Sequence, residues 1–207
     1  MKTINKTYWA FLSIIIVMAF FSCHSGPKDS TAVADSANQK QIDKSDSARK
    51  AATSGSTLKA IKTLQEDASK FLVKSYESGM YEIQLSQLAA TNGLDTDVKN
   101  LAATLVTDHT DINNKISALA ASVGFLLPAA INADHQKSLQ DLGKLTGANF
   151  DKKYIDAIVS GHEKSVSSYK GAYKNLAESD TKNLAAQTLP KIEDHLAMAK
   201  KVQNRIK

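Results

Sequence analysis

The stretch from Asp95 to Val123 constrains this chain more than any other. Val98, Leu101, Leu105, His109, Ile112, Ile116, Leu119 and Val123 recur at steps of three and four. That period puts apolar side chains along one face of a helix for about seven turns, and so long a stripe needs partner helices to cover it. Three more stretches carry the same period. Phe71, Leu72, Tyr76, Ile83, Leu85 and Ala89 predict a first long helix over about 66–91. Phe150, Tyr154, Ile155, Ile158, His162, Val166, Tyr169, Tyr173 and Leu176 predict a third over 149–177. Leu184, Leu189, Ile192, His195, Ala199, Val202 and Ile206 predict a fourth, with Pro190 inside it and a kink expected one turn before His195. The expected fold class is all-α: a four-helix bundle with a short extra helix over 133–145 in the crossover between helices two and three.

The connections follow from the punctuation. Asn92-Gly93 stops the first helix and Asp95 or Thr96 caps the second. Gly124 and Pro128 break the second, after which Leu126 and Leu127 are expected to tuck under the bundle. Leu139, Leu142 and Leu145 should face inward from the short helix, while His135 at its start should be exposed. The long connection suits a crossover from one bundle end to the other rather than a tight turn.

The N-terminus has a different character. Lys2 and Lys6 precede an apolar run from Tyr8 to Phe21, which is about 14 residues and shorter than the ~20 a spanning helix requires. Residues 1–22 therefore read as a lipoprotein signal peptide. Cys23, the single cysteine of the chain, follows directly in Phe20-Phe21-Ser22-Cys23. That pattern looks like a lipobox with Phe in place of the usual Leu, and it makes Cys23 the expected lipidation site. Plain cleaved secretion is the competing reading. Residues 23–65 read as the acylated cysteine and a flexible tether, which admits a helical fragment around Ala32 to Ala52 but shows no packed face. Ser, Ala, Thr, Lys, Asp and Gly dominate them, and they lack aromatics to bury. Such a tether would hold the domain of residues 66–207 tens of ångströms from the membrane. The expected address is the cell envelope, at the outer membrane with the domain in the periplasm, and the expected partner is the membrane itself, through the lipid on Cys23.

The net charge is +5, and +3 once Lys2 and Lys6 leave with the signal peptide (5 minus 2). Basic and acidic residues interleave without an arginine-rich stripe, which disfavours nucleic acid as a partner and points to no particular protein partner.

Each long helix puts one ligand-type residue into its apolar side: Glu82, His109, His162 and His195. With the helices placed up-down-up-down and both tight turns at one end, the three histidines fall ~24–26 Å from that end. Glu82 falls ~7 Å off that level. Imidazoles at one height in a bundle core are a donor set for a single transition-metal ion, zinc, copper or iron, with Glu82 as a fourth ligand or a carboxylate beside the site. Asp108, Glu163 and Asp194 adjoin the histidines in sequence but point about 100° away and should decorate helix flanks. The competing reading is a buried His/Glu hydrogen-bond network that sets helix register and binds nothing.

Lys99-Asn100-Leu101-Ala102-Ala103 ahead of Asp108-His109 is echoed by Lys182-Asn183-Leu184-Ala185-Ala186 ahead of Asp194-His195, a faint internal repeat. Gly79-x-x-Glu82, Val106-x-Asp108-His109, Phe150-Asp151-x-x-Tyr154, His162-Glu163-Lys164 and Thr188-Leu189-Pro190 leading to Asp194-His195-Leu196 together resemble the bacterial domain-of-unknown-function 4142 family over about 67–202. The resemblance implies a ferritin-like bundle, often exported, with no assigned activity. A ferritin-like di-iron site wants a Glu three residues before the His on two helices, and here those places hold Val106 and Ile192. The first expectation is thus an envelope lipoprotein that binds metal or protects against stress. The alternative is a non-catalytic interaction module. A redox or hydrolytic metalloenzyme comes last, since no nucleophile–base pair, phosphate loop or Cys motif supports one.

Overall fold

The computed structural model describes residues 29–50, 54–177 and 179–207. The expected signal peptide and Cys23 lie outside the described residues. Six helices make up the described chain: α1 (Ser30–Arg49), α2 (Gly55–Asn92), α3 (Thr96–Val123), α4 (Ala133–Gly143), α5 (Gly147–Asn175) and α6 (Asp180–Ile206).

The central stripe behaves as its period requires. Asp95 caps α3 by accepting from the backbone N–H groups of Asp97 and Val98, and Gly124 closes it in the left-handed region at φ 75. Val98, Leu101, Leu105, His109, Ile112 and Ile116 are buried, while Val123 at the far end is exposed. Around this helix the packing closes into a ring: α2 on α3, α3 on α6, α6 on α5 and α5 on α2. The hairpin pairs α2/α3 and α5/α6 meet most closely. Gly79 permits the first of these, because a Cβ there would sit 2.2 Å from Asn113 Oδ1.

Two apolar clusters fill the bundle. One gathers Leu85, Val98, Leu105, Phe150, Tyr154 and Ile158. The other gathers Phe71, Leu72, Ile116, Tyr169, Ala185 and Ile192. Each large side chain removed from water here contributes about 1.5–3 kcal/mol. Between the clusters lies a polar layer, because His109 stands between Leu105 and Ile112, His162 follows Ile158, and His195 follows Ile192.

Chain direction corrects the sequence expectation. Asp151, near the start of α5, accepts from the backbone N–H groups of Leu94 and Asp95 in the α2–α3 turn. Arg205, near the end of α6, pairs with Asp95 and reaches Asp97 at 2.9 Å. The α2–α3 turn, the start of α5 and the end of α6 thus share one end, and the α5–α6 turn lies at the other. The two tight turns are at opposite ends, not the same one. The reason is the crossover: α4 and its flanks carry the chain back along the bundle, so α3 and α5 run in the same direction.

The expected flexible tether is also corrected. α1 occupies residues 30–49 of it and packs on α2, whose first turns occupy 55–65. Ala34, Asn38 and Ile42, at steps of four, form its buried face. Asn38 gives this face its specificity, donating to the Leu126 carbonyl at 3.0 Å and accepting from the Leu126 N–H at 2.7 Å. A polar anchor on an otherwise hydrophilic helix leaves little trace in apolar periodicity. Leu126 itself is 57% exposed, and Tyr173 is 52% exposed rather than part of the α5 seam. Leu127 does pack against the core, beside Phe125.

Candidate functional site

The corrected directions bring the four candidate residues level. Counting from the shared end, Glu82 is 11 residues before Gly93, His109 14 after Asp95, His162 11 after Asp151, and His195 10 before Arg205. At 1.5 Å per residue all lie about 15–21 Å from that end, so the expected offset of Glu82 disappears. All four are buried, at 0–3% exposure. The three ring centroids form a near-equilateral triangle with sides of 5.4, 5.2 and 5.4 Å. One ligand atom from each imidazole can be chosen so that all lie within 4.8 Å of one another.

The hydrogen bonds determine which atoms those are. His162 Nδ1 donates to the Ile158 carbonyl at 3.0 Å, which leaves the Nε2 lone pair facing inward. His109 Nε2 lies 3.4 Å from that nitrogen and 2.8 Å from Glu82 Oε2. The other Glu82 oxygen is 3.5 Å from His162 Nδ1. Space for this carboxylate comes from Gly161, where a Cβ would stand 3.0 Å from Glu82 Oε1. His195 Nε2 donates to Asp108 Oδ2 at 2.8 Å, and its buried Nδ1 has no hydrogen-bond partner.

Asp108 is therefore a site residue, not a flank decoration. It bridges His195 and Lys191, whose Nζ is 3.0 Å from Oδ1. A carboxylate behind a histidine fixes the tautomer and raises the basicity of the opposite nitrogen, as it does behind metal-bound imidazoles. Sequence reasoning placed Asp108 on its own helix correctly but did not see that α6 packs against that flank. Glu163, by contrast, pairs with Lys200 at 2.7 Å outside the cluster, and Asp194 is exposed.

Electrostatics prepare the group for a cation. Burial pushes the His195 ring down to about 4, reinforced by His109 and His162 and opposed by Asp108. Burial likewise holds His162 below the usual imidazole value against the pull of Glu82. The Glu82 carboxyl is raised by burial but lowered more by His109, His162 and His195, and it stays below the usual carboxylate range. At neutral pH His162 and His195 are thus neutral imidazoles beside the Glu82 carboxylate, and imidazole with carboxylate is a donor set that suits zinc, copper or iron.

His135 is the other corrected position. It is half-buried, stacks on Tyr81 with centroids 4.0 Å apart, and its Nδ1 lies 2.8 Å from Glu77 Oε1. Glu77 also accepts from the Asn132 N–H, so it pins the start of α4 to α2.

Solved structures share the fold. A DUF305 fragment from Deinococcus radiodurans superposes with a TM-score of 0.60 at 13% identity, covering 67% of this chain and 96% of that one. A DUF305 protein from Streptomyces coelicolor, described as a candidate secreted protein, gives 0.57 at 12% identity over 67% of this chain and 93% of that one. At such identities the likeness speaks to the fold alone. No curated protein matches the sequence. The family model described as Domain of unknown function (DUF4142) matches residues 54–202, which hold α2–α5, most of α6 and all four cluster residues, and the chain belongs to that family.

Proposed function

We propose that this domain is a metal-binding module of the cell envelope, holding one transition-metal ion between His109, His162, His195 and Glu82. The observation that carries the reading is His195 Nδ1, a buried acceptor without a partner in a group of three imidazoles whose ligand atoms lie within 4.8 Å. A purely structural network would leave that nitrogen unsatisfied, at a cost of about 1–3 kcal/mol. His109 Nε2, His162 Nε2 and His195 Nδ1 are the donors, and Asp108 supports the last from behind. One ion is favoured over two because a single carboxylate, Glu82, contacts His109 and His162, while Asp108 engages the outer nitrogen of His195. The role is metal binding or protection against metal or oxidative stress.

Address belongs to the same proposal. The apolar leader and Cys23 directly after it support export with lipid anchoring at Cys23. Among the described residues no helix is long and apolar enough to cross a membrane.

The test is elemental analysis of the full chain purified in detergent, beside a His109→Ala/His162→Ala/His195→Ala variant. Near-stoichiometric metal in the wild type and none in the variant is expected. A wild-type chain that stays empty after incubation with zinc, copper and ferrous iron would refute the metal. It would favour the second reading, in which the Glu82 contacts to His109 and His162 serve a non-catalytic interaction module.

A further inference from the structure

The walls around the cluster are not equivalent. Between α2 and α5 an open cleft of about 510 Å³ runs from the surface to Glu82 and His109. Its sides carry Ser75, Ser78, Ser160, Ser165, Ser168 and Gly161. Such short side chains leave room where longer ones would close the seam, and the hydroxyls present hydrogen-bond donors along it.

The mouth carries two lysines and one glutamate, Glu163, which is paired with Lys200. Lys74 and Lys164 border both the cleft and the shallower depression that continues it outward. Neither pairs with a carboxylate among the described residues. The acidic groups nearby are engaged elsewhere: Glu163 pairs with Lys200, and Glu77 holds His135 and the Asn132 N–H.

Resting on the metal reading above, we infer that this cleft admits and binds a small anion rich in hydrogen-bond acceptors, which meets the ion on its Glu82–His109 side. A divalent ion facing one carboxylate and three neutral imidazoles keeps a net positive charge. The two lysines extend that field to the surface, and low-dielectric walls focus it. Hydroxyl donors replace part of the hydration that the anion loses on entry. A cation would meet repulsion at both ends of this path.

The experiment uses the full chain in detergent, loaded with Co²⁺, whose visible bands report its coordination, and titrated with azide. A saturable change in those bands is expected. Lys74→Glu/Lys164→Glu should weaken azide binding by about tenfold and reverse its salt dependence, with cobalt content unchanged. Lys74→Arg/Lys164→Arg should restore it. Stoichiometric cobalt whose bands ignore azide would overturn the inference and leave the metal reading standing, as would equal azide affinity in the charge-reversed variant. A chain that takes up neither cobalt nor zinc, copper or ferrous iron, read separately by elemental analysis, would remove the metal reading and this inference with it.

Discussion

Acid should loosen the metal-free domain through His195 before the cluster carboxylates titrate. The ring is 1% exposed and its pKa is held near 4 by burial, against an ordinary 6.5. Between those values the unfolded chain binds a proton that the folded chain refuses, so stability is full above pH 6.5 and falls as the pH drops toward 4. The whole window is worth about 3 kcal/mol, and the loss from neutral pH down to pH 5 is about 2 kcal/mol. His162, also held below its usual value, adds to the loss in the same direction. Glu82 and Asp108 are depressed carboxylates, so what they contribute is kept above their unfolded values and lost only at lower pH. Urea unfolding followed by circular dichroism, with chelator present, at pH 7.5, 6 and 5 reads the slope. His195→Gln keeps a donor for Asp108 without the titration, and it should flatten much of that slope. Equal unfolding free energies for the wild type at pH 7.5 and 5 would refute the reasoning.

Two further outcomes follow from single contacts. Asp108→Asn should weaken metal binding about 10- to 100-fold, measured by competition with a chromophoric chelator. Unchanged affinity would reduce Asp108 to a surface partner of Lys191. Asn38→Ala removes both hydrogen bonds to the Leu126 backbone and should release α1, at a cost of about 1–3 kcal/mol in its docking. Amide exchange over 30–49 should then accelerate while metal content stays constant, and unaltered exchange would contradict the packing of α1 on α2.

Periodicity carried the architecture far, because helices that bury a face must repeat near 3.6 residues, and four stretches did. It also placed Glu82, His109, His162 and His195 on inward faces, since each falls within an apolar stripe. Height along the bundle was harder. Residue counts fix distance from a turn, but which end that turn occupies depends on the crossover, and with both tight turns at one end Glu82 falls off the level of the histidines. Asp108 was hidden for a related reason: its partner His195 is 87 residues away on another helix, and no local pattern encodes that pairing. The docking of α1 escaped because one buried asparagine anchors it where a stripe of leucines would have announced it. His135 escaped because its burial comes from stacking on Tyr81 across the crossover.

The docking of α1 sets a length scale for the whole molecule. It takes residues 30–49 out of the reach of the N-terminus, so only the five residues between Cys23 and Asp29 would separate a lipid on that cysteine from the packed body. The six steps from Cys23 to Asp29 span about 20 Å at full extension. An acylated chain would then be less a float on a long line than a bead held against its support. With α1 bound, the domain could sample only a thin layer at the bilayer surface. With α1 released, the same anchor would let it range several times farther, so the two hydrogen bonds of Asn38 would decide which volume it patrols.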